Sequence, residues 1–257
     1  MASAPQQQMP LFYKDLVPLN ARDHSAYRSR STDKASWLAG EHAVPLTVEE
    51  FPLAQRHYPI IFSAGPNPVP LALMGMNEGV NVFVDDEGTV ITDTYIPAYA
   101  RRYPFMLAKL RPEAEDLSLC FDPTSELLGE FDDGLAMFEG EEPTESTKAS
   151  LNFCEQFEIA AQKTSNFVNE LQKHGLIMDG EVNLQLDGME QPFNYRGFGM
   201  VNEEKLRDLR GDVLRTWNQN GMLPLIYAHL FSLELVREVF GRQVQQGKGP
   251  VGAPVPA

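Results

Sequence analysis

Pro97 and Pro104 bracket the stretch that restricts this chain most, Tyr95-Ile-Pro-Ala-Tyr-Ala-Arg-Arg-Tyr-Pro-Phe105. Proline fixes φ, suits the first turn of a helix and pushes the residue before it out of helical geometry. One short helix is therefore predicted from Pro97 to Arg102, ended by Pro104. The same eleven residues hold four aromatics and the pair Arg101 and Arg102. Guanidinium groups stack on rings and fork onto carboxylates, so this segment suits a specific contact. Neighbouring helical residues project about 100° apart, so one arginine can brace the interior while the other faces solvent. Two readings stand side by side. One is a packed aromatic–arginine junction; the other is a pocket that grips the carboxylate of a peptide or small acid between Tyr95, Tyr99 and the guanidinium groups.

Around this block the N-terminal half reads as strands and turns. Phe12–Leu19 alternates weakly and is expected to be a leading strand. Thr47-Val-Glu-Glu50 has capping-box spacing and opens a short helix from about Val48 to Gln55. Pro59–Ser63, Pro70–Met74, Val80–Val84 and Thr89–Ile91 are predicted strands, with Gly65-Pro-Asn-Pro68 and Asp85-Asp-Glu-Gly88 as turns. Phe105–Leu110 and Leu117–Phe121 are expected to form a hairpin. The second half is more helical. A long helix should run to about Lys173, capped by Ser146 or Thr147 and stopped at Gly175. Val182–Leu186 and Phe193–Val201 read as strands. Short helices follow Asn202 and Asp212, and Leu223–Leu230 is predicted to be a strand containing His229. Ser232 is expected to cap a last helix. The predicted class is α+β, with an antiparallel sheet-rich N-terminal lobe and helices packed mainly from the C-terminal half.

Length and composition bound the function. A chain of 257 residues buries roughly 70–75% of its unfolded surface, enough for one large domain or two small ones. A hydrophobic fraction of 43% and a charged fraction of 22% are ordinary for a soluble globular protein. The expected organisation is a single domain over about 10–245, with Pro- and Gly-rich tails at 1–9 and 246–257. The formal net charge of −15 disfavours nucleic acid and anionic lipid, and favours a cationic protein or peptide. Much of that charge lies in an acidic insertion at about 112–147, which has twelve Asp and Glu but no Lys or Arg. It reads as a solvated loop with a few docked apolar anchors, or as a surface for a cationic partner. No apolar run approaches the roughly 18–20 residues that cross a bilayer, which excludes a permease. The N-terminus has neither the basic nor the apolar region of a secretory signal. Only Cys120 and Cys154 are present, which fits small buried hydrophobes in a reducing, cytoplasmic setting.

No catalytic constellation is legible. HExxH, CxxC, GxSxG, GxGxxG and GxxxxGK[ST] are all absent, so neither a metal nor a cofactor is called for. Among the five histidines, His57 and His229 admit two roles each: structural hydrogen bonding, or ligand and acid–base chemistry.

Three blocks give the chain a lineage. They are His57-Tyr-Pro-Ile-Ile-Phe-Ser63, the Tyr95–Phe105 stretch, and Leu225-Ile-Tyr-Ala-His-Leu230 with Ser232-Leu233. Together they resemble the SapC family of bacterial proteins over nearly the whole chain. The resemblance brings no catalytic residues. It implies association by name with a bacterial surface layer, and genes encoded beside outer-membrane receptors, halogenase-like proteins and cupin-like hydroxylases. The expected role is a non-catalytic accessory or adaptor protein that binds a protein or peptide. The alternatives are an enzyme or enzyme subunit in peptide or aromatic modification, and a structural component of a surface layer. Tyr95, Tyr99, Arg101, Arg102, Tyr103, His57 and His229 are the candidate contact residues.

Overall fold

Short apolar segments bounded by proline and glycine pair into antiparallel sheets in the computed structural model, which describes residues 9–91, 93–111, 116–185 and 192–249. With these sheets in the N-terminal part and helices mainly in the C-terminal half, the fold is α+β. The chain divides into two compact units. The first takes in residues up to Asp33 together with Arg101–Glu158; the second takes in Lys34–Ala100 together with residues from Ile159 onward. The tails expected at 1–9 and 246–257 lie mostly outside the described residues, although Lys248 donates its N–H to the Gln243 carbonyl (3.0 Å). Among the described residues, no helix is long and apolar enough to cross a membrane.

In the second unit five antiparallel strands lie in the order Ile177–Leu184, Phe193–Val201, Ile60–Ser63, Pro70–Leu73 and Ala43–Pro45. Ile60, Phe62, Ala72 and Leu73 are wholly buried and make the sheet's side of the core. The expected strand at Leu223–Leu230 is instead part of the helix Met222–Ser232. A continuous apolar run does not distinguish strand from helix by period, and the eleven residues Met222–Ser232 exceed an ordinary strand. Buried Met222, Ile226 and His229 fall at spacings of four and three, the helical repeat.

Two other predicted strands did not form as such. Val80–Val84 and Thr89–Ile91 meet only through an isolated bridge, Val84 to Val90. Asn81 explains the difference. Its side-chain oxygen accepts the N–H groups of Phe83 (2.8 Å) and Val84 (3.1 Å), and its amide donates to the Leu38 carbonyl. A side chain that competes for backbone groups in this way turns the chain instead of extending it. The leading strand is likewise cut to Val17–Pro18, because Phe12 sits at φ 77° and Lys14 gives its N–H to the Asp122 carboxylate.

The first unit pairs Val17–Pro18 with Ser118–Phe121, and that strand with Phe105–Ala108, which is the predicted hairpin. Residues 112–115 of the connection between them lie outside the described residues. Arg28–Ser29 lies between Leu128–Gly129 and Leu135–Ala136. The acidic stretch is thus folded into short strands, with Leu128 and Met137 as buried anchors and Leu135 exposed. Phe105, Leu107, Phe121, Leu128, Met137 and Cys154 form the core. The 29-residue helix Glu145–Lys173 starts earlier than expected. Thr144 accepts the Thr147 N–H at 3.4 Å, while the Thr147 hydroxyl, expected as a cap, donates to the Met137 carbonyl. Gly175 ends the helix in the left-handed region, at φ 61°.

His229 ties the helix Met222–Ser232 to the sheet. Its Nδ1–H donates to the Ile60 carbonyl (2.7 Å), and its Nε2 accepts the Val201 N–H (3.0 Å). Ser232, expected as a cap, reinforces the same junction. Its hydroxyl accepts the Ile60 N–H (2.8 Å) and donates to the His229 carbonyl. Only the neutral imidazole serves both partners, and burial pushes its pKa down to about 4 against the smaller opposing effect of the Ile60 carbonyl. Because the folded value lies below the unfolded 6.5, this group's contribution is complete above pH 6.5 and is lost as pH falls towards 4. Urea unfolding should show wild type losing about 2 kcal/mol more than His229→Gln between pH 7 and pH 5. Equal pH dependence in the two proteins would contradict this role.

Candidate functional site

Glu50 organises the first half of the aromatic–arginine block. It is only 5% exposed, and a carboxylate removed from water needs donors on both oxygens. The Thr47 N–H (2.8 Å) and hydroxyl (2.9 Å) donate to Oε2, the capping box expected from sequence. Oε1 accepts the Ala98 N–H (2.6 Å) and the Tyr95 hydroxyl (3.0 Å). Ala98 begins the predicted short helix, Ala98–Arg101, so a carboxylate holds that helix at its first N–H. Tyr58 is wholly buried; burial raises its phenol pKa, and the neighbouring Tyr95 and Glu50 add to the shift. Tyr99 is buried as well. Tyr95 and Tyr99 belong to the second unit.

From Arg101 onward the block belongs to the first unit. The two arginines diverge as a helical step of about 100° demands. Arg102 turns inward, 5% exposed, with Nη1 3.3 Å from Glu158 Oε1 and its guanidinium carbon 4.2 Å above the Phe157 ring. Arg101 stays exposed, its guanidinium 5.4 Å from the Phe153 ring. Tyr103 is half-buried and edge-on to Tyr13 at 5.4 Å. Burial raises its phenol pKa against a hydrogen bond with Ser125.

Arg101, Arg102 and Tyr103 line a cleft of about 320 Å³ in the first unit. Ser29, Arg30, Ser146, Ser150, Phe153 and Cys154 contribute to the same lining, which among the described residues includes no acidic side chain. Arg30 lies 3.8 Å over the Phe131 ring and donates from Nε to Asp133 (2.6 Å). The hydroxyls of Ser29 and Ser146 are 3.5 Å apart. Burial pushes the Cys154 thiol up to about 11, opposed by Arg102. Such a thiol is a poor nucleophile near neutral pH.

The two candidate histidines lie in the second unit, away from any group of this kind. His229 spends both ring nitrogens on backbone partners. His57 is half-buried, its ring 6.0 Å from that of Tyr58. Among the described residues no group of three or more His, Cys, Asp or Glu is placed to hold a metal ion. Two further grooves occur in this unit: one of about 590 Å³ beside Lys163 and Phe167, and one of about 430 Å³ beside Gly65 and Met178. The reading of the sequence missed Arg30 and the helix face Ser146, Ser150 and Phe153. Positions 146, 150 and 153 are four and three apart in the first two turns of a predicted helix, which was the available signal.

A family model described as SapC matches residues 19–239 of the chain, a span that includes all three of the sequence blocks that resemble that family. No curated protein and no solved structure matches it.

Removing the Glu50 charge tests the geometry at Tyr95 and Ala98. Glu50→Gln should lower unfolding free energy by about 1–3 kcal/mol, and Tyr95→Phe by about 1 kcal/mol, since the hydroxyl bond is one of four at the carboxylate. Chemical denaturation of the two variants measures both. A neutral Glu50→Gln would show that the carboxylate does not hold this segment.

Proposed function

The chain belongs to the SapC family, and from that premise we propose that it is a non-catalytic accessory protein that binds a protein or peptide partner through the arginine-lined cleft of its first unit. The observation that carries this reading is a concentration of guanidinium groups, two of them already paired with Asp133 and Glu158. Three arginines and, among the described residues, no carboxylate line the cleft, in a chain of net charge −15. Rings under the guanidiniums of Arg30, Arg101 and Arg102 hold them in defined planes, which lowers the ordering cost of binding. The acidic stretch in the same unit offers charges of the opposite sign to a partner's cationic residues. Nucleic acid is a poor partner for such a stretch.

Reactive groups support the non-catalytic part of the proposal. Burial raises the thiol pKa of both Cys120 and Cys154, and His229 has no ring nitrogen left for proton transfer. Two unbridged thiols also suit a cytoplasmic setting, which belongs to the proposal.

Tagged full-length protein, purified from native lysate of its source, provides the test. A partner should be recovered near one equivalent, lost with Arg101→Ala and kept with Arg237→Ala, both arginines being exposed. Recovery of no partner, or of one indifferent to Arg101, would remove the support for this function.

A further inference from the structure

We propose that the open edge of the strand Ile177–Leu184 takes an extended segment of a basic protein or peptide as a sixth strand, with one lysine or arginine of that segment set against Asp179. This surface belongs to the second unit and goes beyond the reading above, since none of its residues lines the arginine-lined cleft. Ile177–Leu184 is the last strand of the five-stranded sheet, and among the described residues it pairs on one side only, with Phe193–Val201. Successive residues of an antiparallel strand turn their N–H and C=O groups to opposite sides, so about half of these groups point away from that neighbour. Among the described residues they meet no backbone or side-chain partner. Eight residues of such an edge are a template for another strand unless proline, lysine or a covering element closes it. The segment holds neither proline nor lysine. The opposite edge of the sheet, Ala43–Pro45, is three residues long and ends in proline.

The side chains of the edge say what the added strand carries. Met178, Gly180, Val182 and Leu184 share one face, and Asp179, Glu181 and Asn183 the other. Met178 is 41% exposed, so an apolar residue opposite it covers surface that water now meets. Glu181 is committed to Arg196 and Asn194. Asp179 is exposed and, among the described residues, pairs with no cation. Among the described residues it is also the one charged side chain that lines the groove of about 430 Å³ beside Met178. Ser63 and Gln172 share that lining. Gln172 donates from Nε2 to the Pro66 carbonyl (2.8 Å), which leaves its Oε1 as an acceptor. Lys205 already meets the Gly175 carbonyl (3.2 Å), so Asp179 is the charge left for an occupant. A residue placed directly opposite Asp179 brings its Cβ to about 5 Å from that of Asp179, within reach of a lysine or arginine head.

A second copy of the chain is a worse occupant. Antiparallel self-pairing centred on Gly180 sets Asp179 opposite Glu181 of the second copy, and centring on either acid sets it against itself. Like charges directly opposite destabilise a strand pair. A net charge of −15 repels another copy as a whole and attracts a basic chain.

The probe is acetyl-Ser-Val-Lys-Val-Thr-Ser-amide, titrated into full-length protein and followed by amide hydrogen exchange and by the fluorescence anisotropy of a labelled form. Two analogues serve as controls, one with glutamate in place of lysine and one N-methylated at lysine and both valines. Slower exchange is expected across Ile177–Leu184. The lysine peptide should bind about fivefold or more tightly than either analogue. Asp179→Asn should bring the lysine and glutamate peptides within about twofold of each other, at unchanged melting temperature. Undetectable binding of the lysine peptide, equal binding of the glutamate analogue, undiminished binding after N-methylation, or slower exchange only outside this strand would overturn the proposal. So would a dimer of the chain that slows exchange at Ile177–Leu184, which would give the edge to a second copy. None of these outcomes involves Arg101, so this proposal and the accessory role above fail separately.

Discussion

A guanidinium taken almost wholly out of water is the constraint around which the first unit is arranged. Isolated, such a charge would cost many kcal/mol, so Arg102 must have a counter-charge and a polarisable surface. Glu158 and Phe157 supply them, both about three and a half turns into Glu145–Lys173. Holding Arg102 inward also decides where its neighbour goes. A helical step separates the two side chains, and Arg101 is thereby held outward over Phe153. The outward course of Arg101 is thus set by the inward course of Arg102.

The second unit is specified by the same rule with different groups. Glu50 carries a buried negative charge that gathers four donors, two from its own turn and two from the Tyr95–Ala98 segment. His229 is kept neutral and uses both nitrogens, so the helix Met222–Ser232 sits in one register on the strands Ile60–Ser63 and Phe193–Val201. Apolar burial supplies most of the stabilisation, but it is non-directional. These buried polar nodes select one arrangement, since any slip leaves a charge or a backbone group without its partner.

What was legible in the sequence follows from how local each cause is. The Thr47–Glu50 capping box, the helix Ala98–Arg101, the hairpin Phe105–Ala108 with Ser118–Phe121, and the Gly175 stop all depend on residues within a few positions. Elements decided by distant or side-chain-mediated contacts were misread. Asn81 diverts a segment with strand-like alternation, and His229 sits on a helix whose apolar run has no visible period. Arg101, Arg102 and Tyr103 were singled out because their chemistry is dense in sequence, and they line one cleft. Arg30, Ser29 and Ser146 were not, because Arg30 and Arg101 are seventy-one positions apart and only the fold lines one cleft with them.

The account stands or falls on where a partner touches the chain. Hydrogen–deuterium exchange of the full-length protein, alone and with the partner that copurifies, reads this directly. Slower exchange is expected at Arg101–Phe105, at Ser29 and Arg30, and in the opening turns of Glu145–Lys173. Slower exchange confined to the second unit, with those segments unchanged, would contradict the claim that the arginine-lined cleft is the binding site.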